Sequence, residues 1–98
     1  MKIIEKIMDN ISEEVEGAWE YAEKSLECKA RGNTGRAAKY KDMAYDEIKH
    51  SENLYEFGEA DIDALRRVHP VPIEDEEHWS AFKKKFHESI AKIKLILS

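Results

Sequence analysis

Four of the six glycine and proline residues of this chain lie at two points, and those points divide it into three long segments. Gly32 and Gly35 mark the first point, and Pro70 and Pro72 mark the second. Both residue types interrupt helices, whereas the segments between them repeat apolar residues three and four positions apart, the period of an α-helix. The sequence therefore predicts an all-α protein of one domain, 1–98, with helices over about residues 2–31, 35–67 and 74–97.

The short link between the first two predicted helices constrains how they pack. Thr34 is expected to cap the second helix, because its hydroxyl can accept a hydrogen bond from a free backbone N–H. Since only a few residues join the two helices, they should form an antiparallel hairpin. The third helix carries a narrow apolar stripe, which we interpret as a packing surface: Trp79, Phe82, Phe86, Ile90, Ile93 and Leu97.

Charge and cysteine content exclude several classes of partner. The net charge is −5 at pH 7, whereas nucleic acids and anionic membranes are bound by positively charged surfaces. Cys28 is the only cysteine, so no disulfide can form within the chain, which favours a reducing compartment. No apolar run reaches the roughly 18 residues that a membrane span needs. We expect a soluble cytoplasmic protein without nucleic-acid or membrane partners.

The second helix interrupts its own apolar arc with two polar residues. At 100° per residue the arc holds Tyr40, Met43, Ala44, Leu54, Tyr55 and Phe57. Glu47 falls in the middle of this arc, and His50, three residues later, projects from the same side. A carboxylate directed into an apolar interface costs several kcal/mol unless it is paired, protonated or metal-bound. Such a breach of the pattern indicates a functional position.

The first helix contributes a possible third ligand. Its apolar face holds Ile4, Ile7, Ile11, Val15, Ala18, Ala22 and Leu26, and Glu14 lies at the flank of that face. In a hairpin, Glu14 could approach Glu47 and His50 from the neighbouring helix. A carboxylate can bridge two hard cations, and an imidazole three residues on can reach one of them. Ligands rich in oxygen with few imidazoles suit iron or manganese better than a closed structural zinc site.

Over Ser12 to Phe57, about half the chain, the sequence resembles the ferritin-like superfamily of bacterioferritins, ferritins and rubrerythrins. Three features carry the resemblance: Glu14 followed seven residues later by Tyr21, the Glu47-x-x-His50 pair, and the interval of 33 residues between Glu14 and Glu47. The short half-bundle form is similar to the first half of bacterioferritin and rubrerythrin and to the encapsulated ferritins.

The resemblance implies a role for each matching residue. Glu14 would be a terminal metal ligand, Glu47 a bridging carboxylate, His50 a terminal imidazole ligand, and Tyr21 a hydrogen-bond partner behind the ligands. A complete di-iron site needs two such Glu residues and two Glu-x-x-His pairs. One chain supplies half of that set, so we expect a two-fold homodimer that assembles a four-helix core and holds two irons on its axis. Ferroxidase or peroxide-reactive and oxygen-reactive chemistry would follow, and manganese or zinc could replace iron.

A metal-free protein is the alternative that the residues leave open. Glu47 and His50 could be buried polar groups that fix the register of a helical dimer, which would then act as a structural or interaction module. His69, His78, His87 and Cys28 are expected to be surface or packing residues rather than ligands. Higher homo-oligomers are open on either interpretation.

Overall fold

A computed structural model describes residues 1–98 as three α-helices without strands. Helix α1 spans Lys2–Ala30, α2 spans Thr34–Val68, and α3 spans Ile73–Leu97. Every bound lies within one residue of the predicted one, because glycine and proline end helices through local backbone chemistry. The all-helical prediction is confirmed. None of the three helices is long and apolar enough to cross a membrane.

The turn between α1 and α2 reverses the chain within three residues. Gly32 has a φ of +79°, a left-handed conformation that glycine adopts without steric cost. Asn33, not Thr34 as predicted, is the N-cap of α2: its side-chain oxygen accepts a hydrogen bond of 3.1 Å from the backbone N–H of Arg36. Thr34 is instead the first helical residue. Asparagine is at least as good an N-cap as threonine, so the cap moves one residue towards the N-terminus.

The core lies between the α1–α2 hairpin and α3. Its buried apolar residues are Ile4, Ile11, Ala18, Ala22, Ala44, Ile48, Ile62, Trp79, Phe86, Ile90, Ile93 and Leu97. The predicted stripe of α3 packs into this core as expected, with Phe82 half-buried at its margin. From α2, Tyr55 stacks on Phe86 at 4.7 Å and on Trp79 at 5.8 Å between ring centroids. These rings join α3 to the hairpin.

Charged pairs at the surface also link α2 to α3. The Arg66 guanidinium donates to Glu76 across the proline-containing turn, at 2.6 Å for the shortest N–O distance. Further along, Lys83 pairs with Glu59 at 3.5 Å. Exposed pairs of this kind add little stability, typically about 0–1 kcal/mol, so the aromatic core is the main contribution to the packing of α3.

The predicted apolar arc of α2 is wrong at two positions. Met43 and Phe57 were expected to be covered, yet Phe57 is 66% exposed and Met43 is 40% exposed. The side of α2 that α1 and α3 cover, here called the closed face, consists of Ala44, Ile48, Ser51, Gly58 and Ile62. The stripe that continues around the helix from it, here called the open face, consists of Met43, Glu47, His50, Leu54 and Phe57. Helix α3 covers only one side of the hairpin. On the second stripe Met43, His50 and Phe57 are exposed, whereas Glu47 and Leu54 are half-buried.

Candidate metal centre

Glu14, Glu47 and His50 come together at the surface between α1 and α2. One ligand atom from each of the three residues lies within 4.8 Å of the other two. No other group of three or more Asp, Glu, His or Cys side chains in the chain has this spacing. The structure thus brings together the three ligands that the sequence predicts. We refer to them as the triad.

Local helix geometry and the hairpin turn explain this convergence. Glu47 and His50 are three residues apart, so they project from neighbouring positions on one side of α2. The tight turn at Gly32 makes α1 antiparallel to α2, and that register sets Glu14 opposite both residues. The imidazole Nδ1 of His50 lies 3.8 Å from a carboxylate oxygen of Glu14. This distance is too long for a hydrogen bond and leaves space between the two groups.

The carboxyl group of Glu14 perturbs the protonation equilibrium of Glu47. A hydrogen bond with Glu14 is the main reason that the pKa of Glu47 is raised above its ordinary value, with desolvation and the negative charge of Glu14 adding to the effect. The nearby His50 acts in the opposite direction and lowers the pKa of Glu47. Two carboxylates this close repel each other unless a proton or a cation lies between them. A cation bound between Glu14 and Glu47 would therefore remove this repulsion.

The spacing of the triad is close to what one metal ion requires. Three ligand atoms bonded to the same ion at about 2.1 Å lie roughly 3.0–3.6 Å apart. The ligand atoms of the triad lie within 4.8 Å of one another. Side-chain movements of roughly one ångström would therefore bring the three atoms to a shared ion. The donor set fits a hard or borderline divalent ion, because it consists of two carboxylates and one imidazole.

The triad is open to solvent on one side. The side chain of His50 is 59% exposed and that of Glu14 is 32% exposed. Glu47 is half-buried and lies at the edge of the covered side of α2, not in its middle as predicted, because the buried centre falls on Ala44, Ser51 and Ile62. Within one chain, an ion at the triad would have at least one side without protein ligands.

Tyr21 lies beyond the triad and makes a different contact from the predicted one. Its ring stacks on that of Tyr40, with 6.2 Å between centroids, and the ammonium of Lys24 lies 5.8 Å from each ring. Its hydroxyl forms no hydrogen bond with the triad within this chain. Seven residues are about two helical turns, and the stacking on Tyr40 keeps the ring at that distance along the hairpin.

The other candidate side chains lie apart from the triad. His87 packs edge-on against Tyr55 and Phe86, at 5.2 and 5.4 Å between ring centroids, which agrees with a packing role. Gly17, by contrast, lies directly against Glu47, a contact that was not predicted from the sequence. Its position three residues after Glu14 was the available signal.

No protein-family model, curated protein or solved structure matches this chain. Any functional assignment therefore depends on the residues of the triad and on the face that surrounds them.

Proposed function

We propose that the triad binds Fe(II), that two copies of the chain join through their open faces, and that the resulting dimer is a ferritin-like di-iron protein with ferroxidase or peroxide-reactive and oxygen-reactive chemistry. The observation that carries the proposal is the convergence of Glu14, Glu47 and His50 within 4.8 Å at the partly exposed open face of the hairpin.

The ligand count supports a second copy as the partner. A di-iron carboxylate site in a four-helix bundle uses a Glu from each of two helices and a Glu-x-x-His pair from each of two others. One hairpin supplies Glu14 and the Glu47–His50 pair, which is half of that set. A two-fold axis through the open face would bring the second half, because an isologous contact doubles every residue that it contains.

Exposed apolar side chains lie along the same sides of α1 and α2 as the triad and support the same contact. Phe57 is 66% exposed, and Met43 is 40% exposed on the same stripe of α2. Ile3, three helical turns before Glu14 on α1, is 51% exposed. Burying large apolar groups of this kind stabilises an interface by about 1.5–3 kcal/mol for each side chain. The contact would also remove water from around the ligands.

Within this proposal each residue has a distinct task. Glu47, half-buried between the other two, would bridge the ions, while Glu14 and His50 would each bind one ion from its outer side. Bound iron would supply the redox chemistry, as metal cofactors do. Because the hydrogen bond with Glu14 raises the pKa of Glu47, ion binding would compete with protonation of this carboxyl group.

A metal-free dimer is the second candidate, and one observation favours it. A protonated Glu47 can satisfy Glu14 by a hydrogen bond without any ion, as the raised pKa of Glu47 indicates. In that case the open face would still be an interface, and the triad would fix its register. Manganese or zinc at the same ligands would be an intermediate case, with a structural rather than a redox role.

Iron loading of matched variants tests the proposal. The purified protein is incubated anaerobically with Fe(II), desalted and analysed for metal. We expect about one retained iron per chain. Glu47→Ala should lose this iron, whereas Glu56→Ala, which removes an exposed carboxylate elsewhere on α2, should retain it. Equal retention by wild type and Glu47→Ala would contradict the proposal, and no retention by the wild type would favour the metal-free dimer.

A further inference from the structure

Gly17 lies where the carboxylate of Glu47 meets the backbone of α1. A Cβ atom placed on Gly17 would be 3.1 Å from Oε2 of Glu47 and 3.5 Å from its Cδ. Ordinary contacts of a Cβ atom with other heavy atoms are 3.4–4 Å, so the carboxylate occupies space that any side chain at position 17 would need. Gly35 offers a contrast, because a Cβ there would have nothing within 4 Å.

Backbone conformation does not explain the glycine at this position. Gly17 lies well inside α1, and Gly32 is the one residue of the chain with a positive φ. Inside a helix, glycine is among the least favourable residues, since it loses the most backbone entropy on folding. Alanine would fit the helix better, so the reason for glycine must lie in what approaches it from outside. Glu47 is the neighbour that does so.

We infer that Gly17 is a positioning residue of the metal centre, because its missing side chain forms the slot in which the Glu47 carboxylate lies. This inference rests on the proposed function, since it assigns Gly17 a role in the same site. Gly17 follows Glu14 by three residues on the same side of α1, so the two flank Glu47. A methyl group in the slot would push the carboxylate away by a few tenths of an ångström, because the end of a glutamate side chain moves more easily than a helix backbone.

The role predicts opposite effects on stability and on metal binding. Gly17→Ala should favour the helix and at the same time move Glu47 away from the point where the triad converges. A residue with a purely structural role would change both properties in the same direction. Opposite changes in stability and in metal affinity would therefore distinguish a positioning role from a general role of Gly17 in folding.

A thermodynamic cycle on the metal-free protein tests the slot itself. Gly17→Ala is introduced into the wild type and into Glu47→Ala, and melting temperatures are compared at one protein concentration. In Glu47→Ala the gain should approach the 4–8 °C that a glycine-to-alanine change in a helix gives to a domain of about this size. In the wild type it should be clearly smaller, because Glu47 opposes the methyl group. Equal gains in both backgrounds would overturn the inference.

Metal titration tests the positioning role. We expect Gly17→Ala to bind Fe(II) at least about tenfold more weakly than the wild type, by analogy with the loss of supporting residues at other metal sites. Gly35→Ala is the matched control and should bind normally. If the wild type binds Fe(II) and Gly17→Ala binds it equally well, the positioning role is wrong while the proposed function stands. If the wild type binds none, the proposed function fails, and the thermodynamic cycle still decides whether the slot exists.

Discussion

The two faces of α2 follow the same helical period and differ in what covers them. The closed face consists of small or β-branched residues and one serine, and α1 and α3 cover it. The open face has the larger side chains Met43, Leu54 and Phe57, together with Glu47 and His50, and the chain covers it only in part. One helix thus has two different surfaces: the first forms the core of the chain, and the second has the composition that the proposed interface around a polar site would need.

The largest effect is expected on the closed face. Ile48 is 2% exposed, so Ile48→Ala should lower the free energy of unfolding by about 2–5 kcal/mol through lost burial and the cavity left behind. Urea unfolding followed by circular dichroism measures this. A cost below about 1 kcal/mol would mean that the closed face is not the core of the protein.

On the open face, Phe57→Glu should act on association rather than on folding. Each copy would lose the burial of a large apolar side chain, worth about 2 kcal/mol, so the proposed dimer should weaken by more than about 30-fold. Light scattering coupled to size-exclusion chromatography would report the mass, and circular dichroism should report unchanged helix content. A variant that stays dimeric at the same concentrations would mean that the open face is not the interface.

Gly58→Ala sharpens the contrast between the two faces. A Cβ at Gly58 would lie 2.6 Å from Cγ2 of Ile7, inside the packed junction of α1 and α2. We expect a net loss of about 1–3 kcal/mol from overpacking, although alanine favours the helix. At Gly17, by contrast, the methyl group would meet the movable end of Glu47. Chemical unfolding of both variants would compare them directly, and a stabilising Gly58→Ala would contradict the close packing described for this junction.

The smallest effect is expected from pH. The pKa of Glu47 is raised from 4.5, so the folded metal-free protein binds more protons than the unfolded chain between 4.5 and the raised value. Its stability should therefore fall as pH rises through that window and level off above it. Because the site is partly exposed to solvent, the change should stay below about 1 kcal/mol. The free energy of unfolding, measured at several pH values, should fall through this window in the wild type and not in Glu47→Gln. Identical pH profiles for the two proteins would refute the interaction between the carboxyl groups of Glu14 and Glu47.

The sequence was sufficient for those features that depend on local chemistry. Gly32, Pro70 and Pro72 end helices wherever they occur, so the bounds of all three helices could be predicted to within one residue. The interval of 33 residues between Glu14 and Glu47 also predicted that these two side chains would meet. A tight turn between two regular helices determines which positions face each other.

Other features depend on tertiary contacts and could not be read from the period. The apolar arc of α2 is wide, and its period does not state which edge α3 covers, so Met43 and Phe57 were placed on the wrong side. The contact of Gly17 with Glu47 depends on the separation and rotation of two helices. The stacking of Tyr21 on Tyr40 likewise depends on their mutual position, which no local pattern encodes.

Native mass spectrometry of the protein loaded anaerobically with Fe(II) tests the central claim most directly, because it reports the oligomer and its metal content in one species. The account predicts a dimer that holds two irons, together with a Glu47→Ala protein whose dimer holds none. Iron held by a monomer, or a wild-type dimer without iron under the same conditions, would contradict it.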